Sequence, residues 1–155
     1  MAKILVVEDE KDIRDMLSET LNLWGFESVT AENGKEALKV FGSEDVSLIL
    51  TDMRMPVMDG LTMLKKIRRI DPIVPVIVIT GYPSVNSAME SLSVGADYYI
   101  VKPINMTDLK VKIDKSFEKI KVLEKLSLAQ KKNKVFAILI PACLIIGFIL
   151  GKFVF

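Results

Sequence analysis

Five runs of strand length, four of them apolar, each followed by a segment of helical periodicity, limit most tightly what this chain can fold into. The first, Ile4-Leu5-Val6-Val7, is apolar at every position, as a strand buried on both faces must be. Glu27 to Ala31, Leu48-Ile49-Leu50, Val76-Ile77-Val78-Ile79 and Tyr98 to Val101 are the later runs. Between the first two, Ile13, Met16, Leu17, Thr20, Leu21 and Trp24 recur at helical spacing and stop at Gly25, a natural helix terminator. Asn33-Gly34 turns the chain into a helix carrying Ala37, Leu38 and Phe41, and Leu61, Leu64, Ile67 and Ile70 mark the next. Asp71-Pro72 and Pro75 bracket a loop, and Ser84 caps a helix running through Ala88, Met89 and Leu92 to Gly95. The last helix begins near Met106 with Leu109, Ile113, Phe117 and Ile120 on one stripe. This alternation predicts an α/β domain over residues 1–121, a doubly wound five-stranded parallel sheet in the order 2-1-3-4-5.

The polar residues fall where such a sheet binds ligands. Glu8 and Asp9 follow the first strand, Asp52 the third, Thr80 the fourth and Lys102 the fifth. All belong to the carboxyl edge of the strands, and the reversal of strand order lies between the first and third. Glu8, Asp9 and Asp52 are therefore expected to be neighbours. Three crowded carboxylates repel, and a hard divalent cation such as Mg2+, which takes oxygen ligands and leaves sites for phosphate oxygens, relieves that repulsion. A carboxylate can attack phosphorus, and a lysine ammonium and a threonine hydroxyl can neutralise the transferred group. Taken singly, the same residues have plainer readings: Asp52 as a turn former, Lys102 as a solvated lysine, Thr80 as a helix cap. Met53, Met55, Met58 and Met63 read as packing, and Asp59-Gly60 as a turn supporting the loop after Asp52.

Composition removes other chemistries. The 155 residues contain no histidine, which excludes histidine metal sites, histidine-assisted nucleophiles and a histidine phosphocarrier. The single cysteine, Cys143, cannot form an internal disulfide and reads as a small apolar residue. With 21 basic and 20 acidic residues, the net charge of +1 makes no case for nucleic acid as a partner.

Six segments, in order and at the right spacing, carry a resemblance. They are Leu5-Val6-Val7-Glu8-Asp9-Glu10, Ala31-Glu32-Asn33-Gly34-Lys35-Glu36-Ala37-Leu38, Thr51-Asp52-Met53-Arg54-Met55-Pro56-Val57-Met58-Asp59-Gly60, Val78-Ile79-Thr80-Gly81, Gly95-Ala96-Asp97-Tyr98-Tyr99 and Val101-Lys102-Pro103. Through them, residues 3 to about 121 resemble the receiver domain of two-component response regulators, the flavodoxin-like fold of the chemotaxis regulators. The resemblance implies that Asp52 is the phosphoacceptor, Asp9 a direct Mg2+ ligand, Glu8 a ligand through water, and the Arg54 backbone carbonyl the remaining protein ligand. It implies that Thr80 and Tyr99 form the switch pair, that Lys102 bridges to the phosphoryl group, and that Lys102–Pro103 is cis. Taken alone, Tyr99 could equally be packed core. A histidine kinase or histidine phosphotransfer protein is the implied phosphodonor, and the domain is a signalling device, with at most weak autophosphatase activity, rather than an enzyme. Glu8 stands where the family more often has aspartate. Arg54 and Tyr82, two residues after the acceptor and the switch threonine, are bulky at positions that influence phosphate hydrolysis in this family, and so imply a long phosphoryl lifetime.

The far end differs in character. From Val135 to Phe155 the only charge is Lys152. A helix of that length spans about 30 Å, the thickness of a bilayer core. The expectation is a single-pass anchor over 135–155, preceded by a basic extension of the last helix over 122–134 that includes Lys131, Lys132 and Lys134. The positive-inside rule then places the receiver in the cytoplasm, at the cell membrane. Cys143, Gly147 and Gly151, four apart, offer a small-residue face for homodimer pairing. The short extension leaves no room for an output module, so the expected output is a downstream protein partner. The alternatives are a membrane-held phosphate sink and a docking scaffold that needs no phosphorylation.

Overall fold

The computed structural model describes the backbone of residues 1–151 and the side chains of residues 1–130. Its elements are β1 (Lys3–Val7), α1 (Lys11–Leu23), β2 (Glu27–Ala31), α2 (Gly34–Ser43), β3 (Leu48–Asp52), α3 (Gly60–Ile70), β4 (Val76–Thr80), α4 (Val85–Val94), β5 (Tyr98–Val101) and α5 (Met106–Gly151). The strands form one parallel sheet in the order β2-β1-β3-β4-β5, as expected. Register is continuous across it: Val6 pairs with Leu50, Leu50 with Ile77, and Ile77 with Tyr98.

Both faces of the sheet are covered, which explains the unbroken apolar runs. Leu5, Val7, Ile49, Val76 and Val78 share one core with Ala37 of α2 and Met63, Leu64 and Ile67 of α3. Their strand neighbours Ile4, Val6, Leu48, Leu50, Ile77 and Ile79, which point the other way, are also fully buried. The buried Leu17 and Leu21 of α1 and Leu109 and Ile113 of α5 supply the second layer. Met63 and Met55 are buried and Met53 and Met58 pack against the first core, so these four methionines are packing residues.

Local chemistry starts the helices. The Asn33 side chain accepts from the amides of Lys35 and Glu36, Asp59 accepts from Thr62, and Ser84 and Ser87 form a reciprocal capping box. Gly95 ends α4 at φ +106°, a backbone conformation that side chains disfavour. A Cβ there would also meet the Arg68 guanidinium at 2.9 Å. Arg68 bonds the carbonyls of Gly95 (2.7 Å) and Val74 (2.7 Å), tying α3 to the opposite, amino edge of the sheet.

Three expectations are refined. Asp52 and Thr80 are the last residues of β3 and β4 instead of following them, so the ladder itself holds their backbones. In α4 the helix forms where expected, but Met89 (65% exposed) and Leu92 (50%) face outward and the buried residue is Ser91. Ile70, assigned to the core stripe of α3, is also exposed. In α4 a serine takes the inward position, which periodicity alone does not identify, and in α3 the buried stripe of Met63, Leu64 and Ile67 ends one turn before Ile70.

The chain divides into two compact units, Met1–Ser116 and Phe117–Phe155. The first contains the sheet. In the second, described here by itself, α5 continues with Val122, Leu123, Leu126 and Leu128 exposed. Among the described residues no helix is long and apolar enough to cross a membrane. The expected anchor over 135–155 lies outside the residues whose side chains are described.

Candidate functional site: an acidic pocket at the sheet edge

The reversal of strand order between β2-β1 and β3 brings the acids together. Glu8, Asp9 and Asp52 present carboxylate oxygens that lie within 4.8 Å of one another. Glu8 is 1% exposed and Asp52 7%, whereas Asp9 is open to solvent. Lys102, delivered by the end of β5, closes the group. Its Nζ donates to Glu8 Oε1 and Oε2 at 3.1 and 2.9 Å and to Asp52 Oδ2 at 2.6 Å. The amide of Arg54 donates to Asp52 Oδ1 at 3.0 Å, so both acceptor oxygens are held. The Lys102–Pro103 bond is cis, as expected.

Thr80 is fully buried at the end of β4, one position beyond Ile79, the register partner of Asp52. Its hydroxyl oxygen accepts from the Tyr82 amide at 3.1 Å, which leaves the hydroxyl proton free to be donated. Tyr99 pairs in register with Val78 and packs against the core. Its hydroxyl lies 2.9 Å from that of Ser87 in α4. The side chains of Arg54 and Tyr82 meet: the guanidinium carbon sits 4.6 Å from the ring centre. This stack joins the β3–α3 loop to the β4–α4 loop next to Asp52 and Thr80.

The Asp59-Gly60 turn does more than support the loop. A Cβ on Gly60 would lie 2.1 Å from the Asp52 carbonyl oxygen and 2.9 Å from Thr51 Oγ1. Gly60 is thus what lets α3 start against the end of β3, and its amide bonds the Met53 carbonyl at 3.0 Å. The dipeptide Asp59-Gly60 signalled a turn; the close approach needed the structure. Sequence reasoning also passed over Ser87 and Arg14, for which no spacing signal exists.

Electrostatics follow from the crowding. Burial, together with the neighbouring Asp52 charge, pushes the Glu8 carboxyl up to about 7, against the lowering effect of its Lys102 hydrogen bonds. Burial of Lys102 acts to lower its pKa, but hydrogen bonds to Asp52 and Glu8 outweigh that and raise it. An all-oxygen set of three acids around one ammonium is a site that a hard divalent cation fits.

A raised carboxyl pKa has a definite sign. Between the ordinary value of 4.5 and about 7 the folded protein holds a proton that the unfolded chain releases. Metal-free stability therefore falls as pH rises through that window. Divalent-cation binding among these acids, which ionised Glu8 would favour, is expected to move the opposite way. From pH 6 to 8 the ionised fraction rises from about a tenth to about nine tenths, so Mg2+ affinity should rise by roughly tenfold. Urea midpoints without metal and calorimetric Mg2+ titrations at the two pH values check both signs, and the chain has no histidine to confuse them.

Residues 4–114 match the family model of the response regulator receiver domain. The regulatory protein AtoC of Escherichia coli K12 is 39% identical over 116 residues, which are 75% of this chain and 25% of that protein. Curated relatives thus extend well beyond the region this chain matches. Among solved structures, the receiver domain protein from Clostridium thermocellum has a TM-score of 0.76 at 33% identity, covering 79% of this chain and 99% of that one. TrrA of Thermotoga maritima, solved in complex with Mg(2+)-BeF, has a TM-score of 0.69 at 41% identity, covering 75% and 99%. With this fold, this sheet-edge pocket and these similarities, the chain belongs to the response regulator receiver domain family.

Proposed function

We propose that this chain is the phosphoacceptor of a two-component or phosphorelay system and takes its phosphoryl group on Asp52. The observation that carries the reading is Lys102, whose ammonium bridges Asp52 and Glu8 within a cluster of oxygen donors. A carboxylate oxygen of Asp52 attacks phosphorus; the P–N bond of a phosphohistidine donor breaks, and the imidazole leaves with the electron pair and takes up a proton. Lys102 balances negative charge on the transferred oxygens, and Thr80 donates its free hydroxyl proton to one of them. Asp9 and Asp52 directly, Glu8 through water, and the Arg54 carbonyl would hold Mg2+. When bound, the ion neutralises charge on the phosphoryl oxygens. The Mg(2+)-BeF complex of TrrA, a similar receiver, supports this assignment.

Thr80 and Tyr99 then bias a two-state surface. The exposed Val85, Met89 and Leu92 of α4, with Val101 and Val111 of β5 and α5, support readout by a protein partner on that face. The reading is tested by incubating the full chain with a phosphorylated histidine protein. Acid-stable but hydroxylamine-labile phosphate should appear in wild type and not in Asp52→Asn; equal incorporation in the variant would sink it.

The Arg54–Tyr82 stack supports a slow loss of phosphate, since it crowds the path of water to the acceptor. Such a contact is worth about 0.5–1 kcal/mol at an exposed position. Tyr82→Ala should therefore shorten the phosphoryl lifetime about two- to fivefold, measured as decay after donor removal. An unchanged lifetime would show that the stack does not screen the site.

The apolar composition of 135–155, with Lys131, Lys132 and Lys134 before it, supports anchorage at the cell membrane with the receiver in the cytoplasm. In a carbonate wash of membranes, the full chain should resist extraction and a version stopped before Lys131 should not. Extraction of both would remove the anchor and leave the receiver reading intact.

A further inference from the structure

Two of the three pocket acids, Glu8 and Asp9, sit in the loop between β1 and α1, where the Glu8 carboxylate accepts from Lys102 and from the Glu10 backbone amide. Glu10, the residue that opens α1, makes no side-chain capping bond. Asp9 is exposed, and the amide of Glu8 is tied only to the Ala31 carbonyl at 3.1 Å. Arg14, one turn into α1 and part buried, reaches back over this loop. A single nitrogen, Nη1, donates to the carbonyl of Glu8 at 2.6 Å and to that of Asp9 at 3.2 Å. One guanidinium thus fixes two consecutive peptide planes, and with them the directions in which the two carboxylates leave the backbone.

We infer that Arg14 is a positioning residue for divalent-cation binding: by clamping the Glu8 and Asp9 carbonyls it aims both carboxylates at Asp52. The inference rests on the Mg2+ reading of the pocket proposed above. It differs from a simple charge effect in sign. Arg14 is a cation near a cation site, so on Coulomb grounds its removal would tighten metal binding. As a clamp, its removal lets the loop carbonyls turn to water and the carboxylates spread, so binding weakens. Loss of the groups that orient ligands costs metal sites about 10- to 100-fold, and a partly exposed clamp on backbone belongs at the low end.

The test is a calorimetric titration of the full chain with MgCl2, with no phosphodonor present, on wild type, Asp9→Asn and Arg14→Met. Expected are binding by wild type, its near loss in Asp9→Asn, and a dissociation constant about tenfold weaker in Arg14→Met. Unchanged or tighter binding in Arg14→Met, with wild type and Asp9→Asn as expected, would overturn the clamp. If wild type does not bind, or Asp9→Asn binds equally well, the metal reading itself fails and takes the clamp with it. Arg14→Lys, which keeps the charge on a shorter stem, covers the case in which Arg14→Met does not fold. It should bind about threefold or more weakly than wild type, and equal affinity would count against the clamp.

Discussion

Replacing Gly60 by alanine is expected to cost about 3 kcal/mol or more of stability, at the upper end of the range for overpacked interiors. The reason is the nature of the obstacle. The added Cβ would stand 2.1 Å from the Asp52 carbonyl oxygen, a backbone atom of β3 that no rotamer change can move. Either α3 lifts away from β3 or Asp52 is displaced, and both damage the pocket as well as the core. For a domain of this size, such a loss lowers the melting temperature by roughly 10 °C or more. Gly42 provides the matched control. It lies within α2 and a Cβ there meets nothing within 4 Å. Gly42→Ala should leave the fold unharmed or stabilise it by up to about 1 kcal/mol. Comparable melting temperatures for the two variants would show that the contact at Gly60 does not constrain β3.

The second large effect is expected from Lys102→Met. Among the described residues it removes the one cation bonded to both Glu8 and Asp52, leaving two buried carboxylates facing each other. Phosphoryl uptake should fall by about 10²–10³-fold, the usual loss when a donor to developing charge is deleted. Stability should become steeply pH-dependent. Without Lys102, whose hydrogen bonds lower it, the Glu8 carboxyl is pushed further up. From pH 6 to pH 8 the folded variant then holds a proton that the unfolded chain releases, and it loses stability as pH rises more sharply than wild type does. Rapid-quench phosphorylation and urea melts at the two pH values measure both effects. Uptake within a few-fold of wild type would show that Lys102 balances the resting carboxylates and does not assist transfer.

Most of the site was legible in the sequence because its residues sit at strand ends, and strand ends are marked by where apolar runs stop. Glu8, Asp9, Asp52, Thr80 and Lys102 could each be placed on one edge of the sheet from that pattern and from the winding rule alone. The structure brings Glu8, Asp9, Asp52 and Lys102 together and places Thr80 on the adjacent strand at the same edge. What the pattern could not show depends on three-dimensional proximity. Arg14 acts through backbone carbonyls and Ser87 through a hydroxyl contact to Tyr99, neither of which leaves a spacing signature. The outward turn of Met89 and Leu92 was hidden because α4 buries a serine, and hydrophobic periodicity assumes that the buried stripe is the apolar one. Gly60 was visible only as a turn residue, since a close approach of two backbones has no local sequence correlate.

The identity of the residue that carries the phosphoryl group is the centre of this account. It is tested most directly by reducing the phosphorylated full chain with labelled borohydride, which converts an aspartyl phosphate to homoserine, and sequencing the labelled peptide. Label is expected at Asp52 alone, lost when Mg2+ is chelated before the donor is added. Label at Asp9 or at any other acid, or no label in a chain that has demonstrably taken up phosphate, would contradict it.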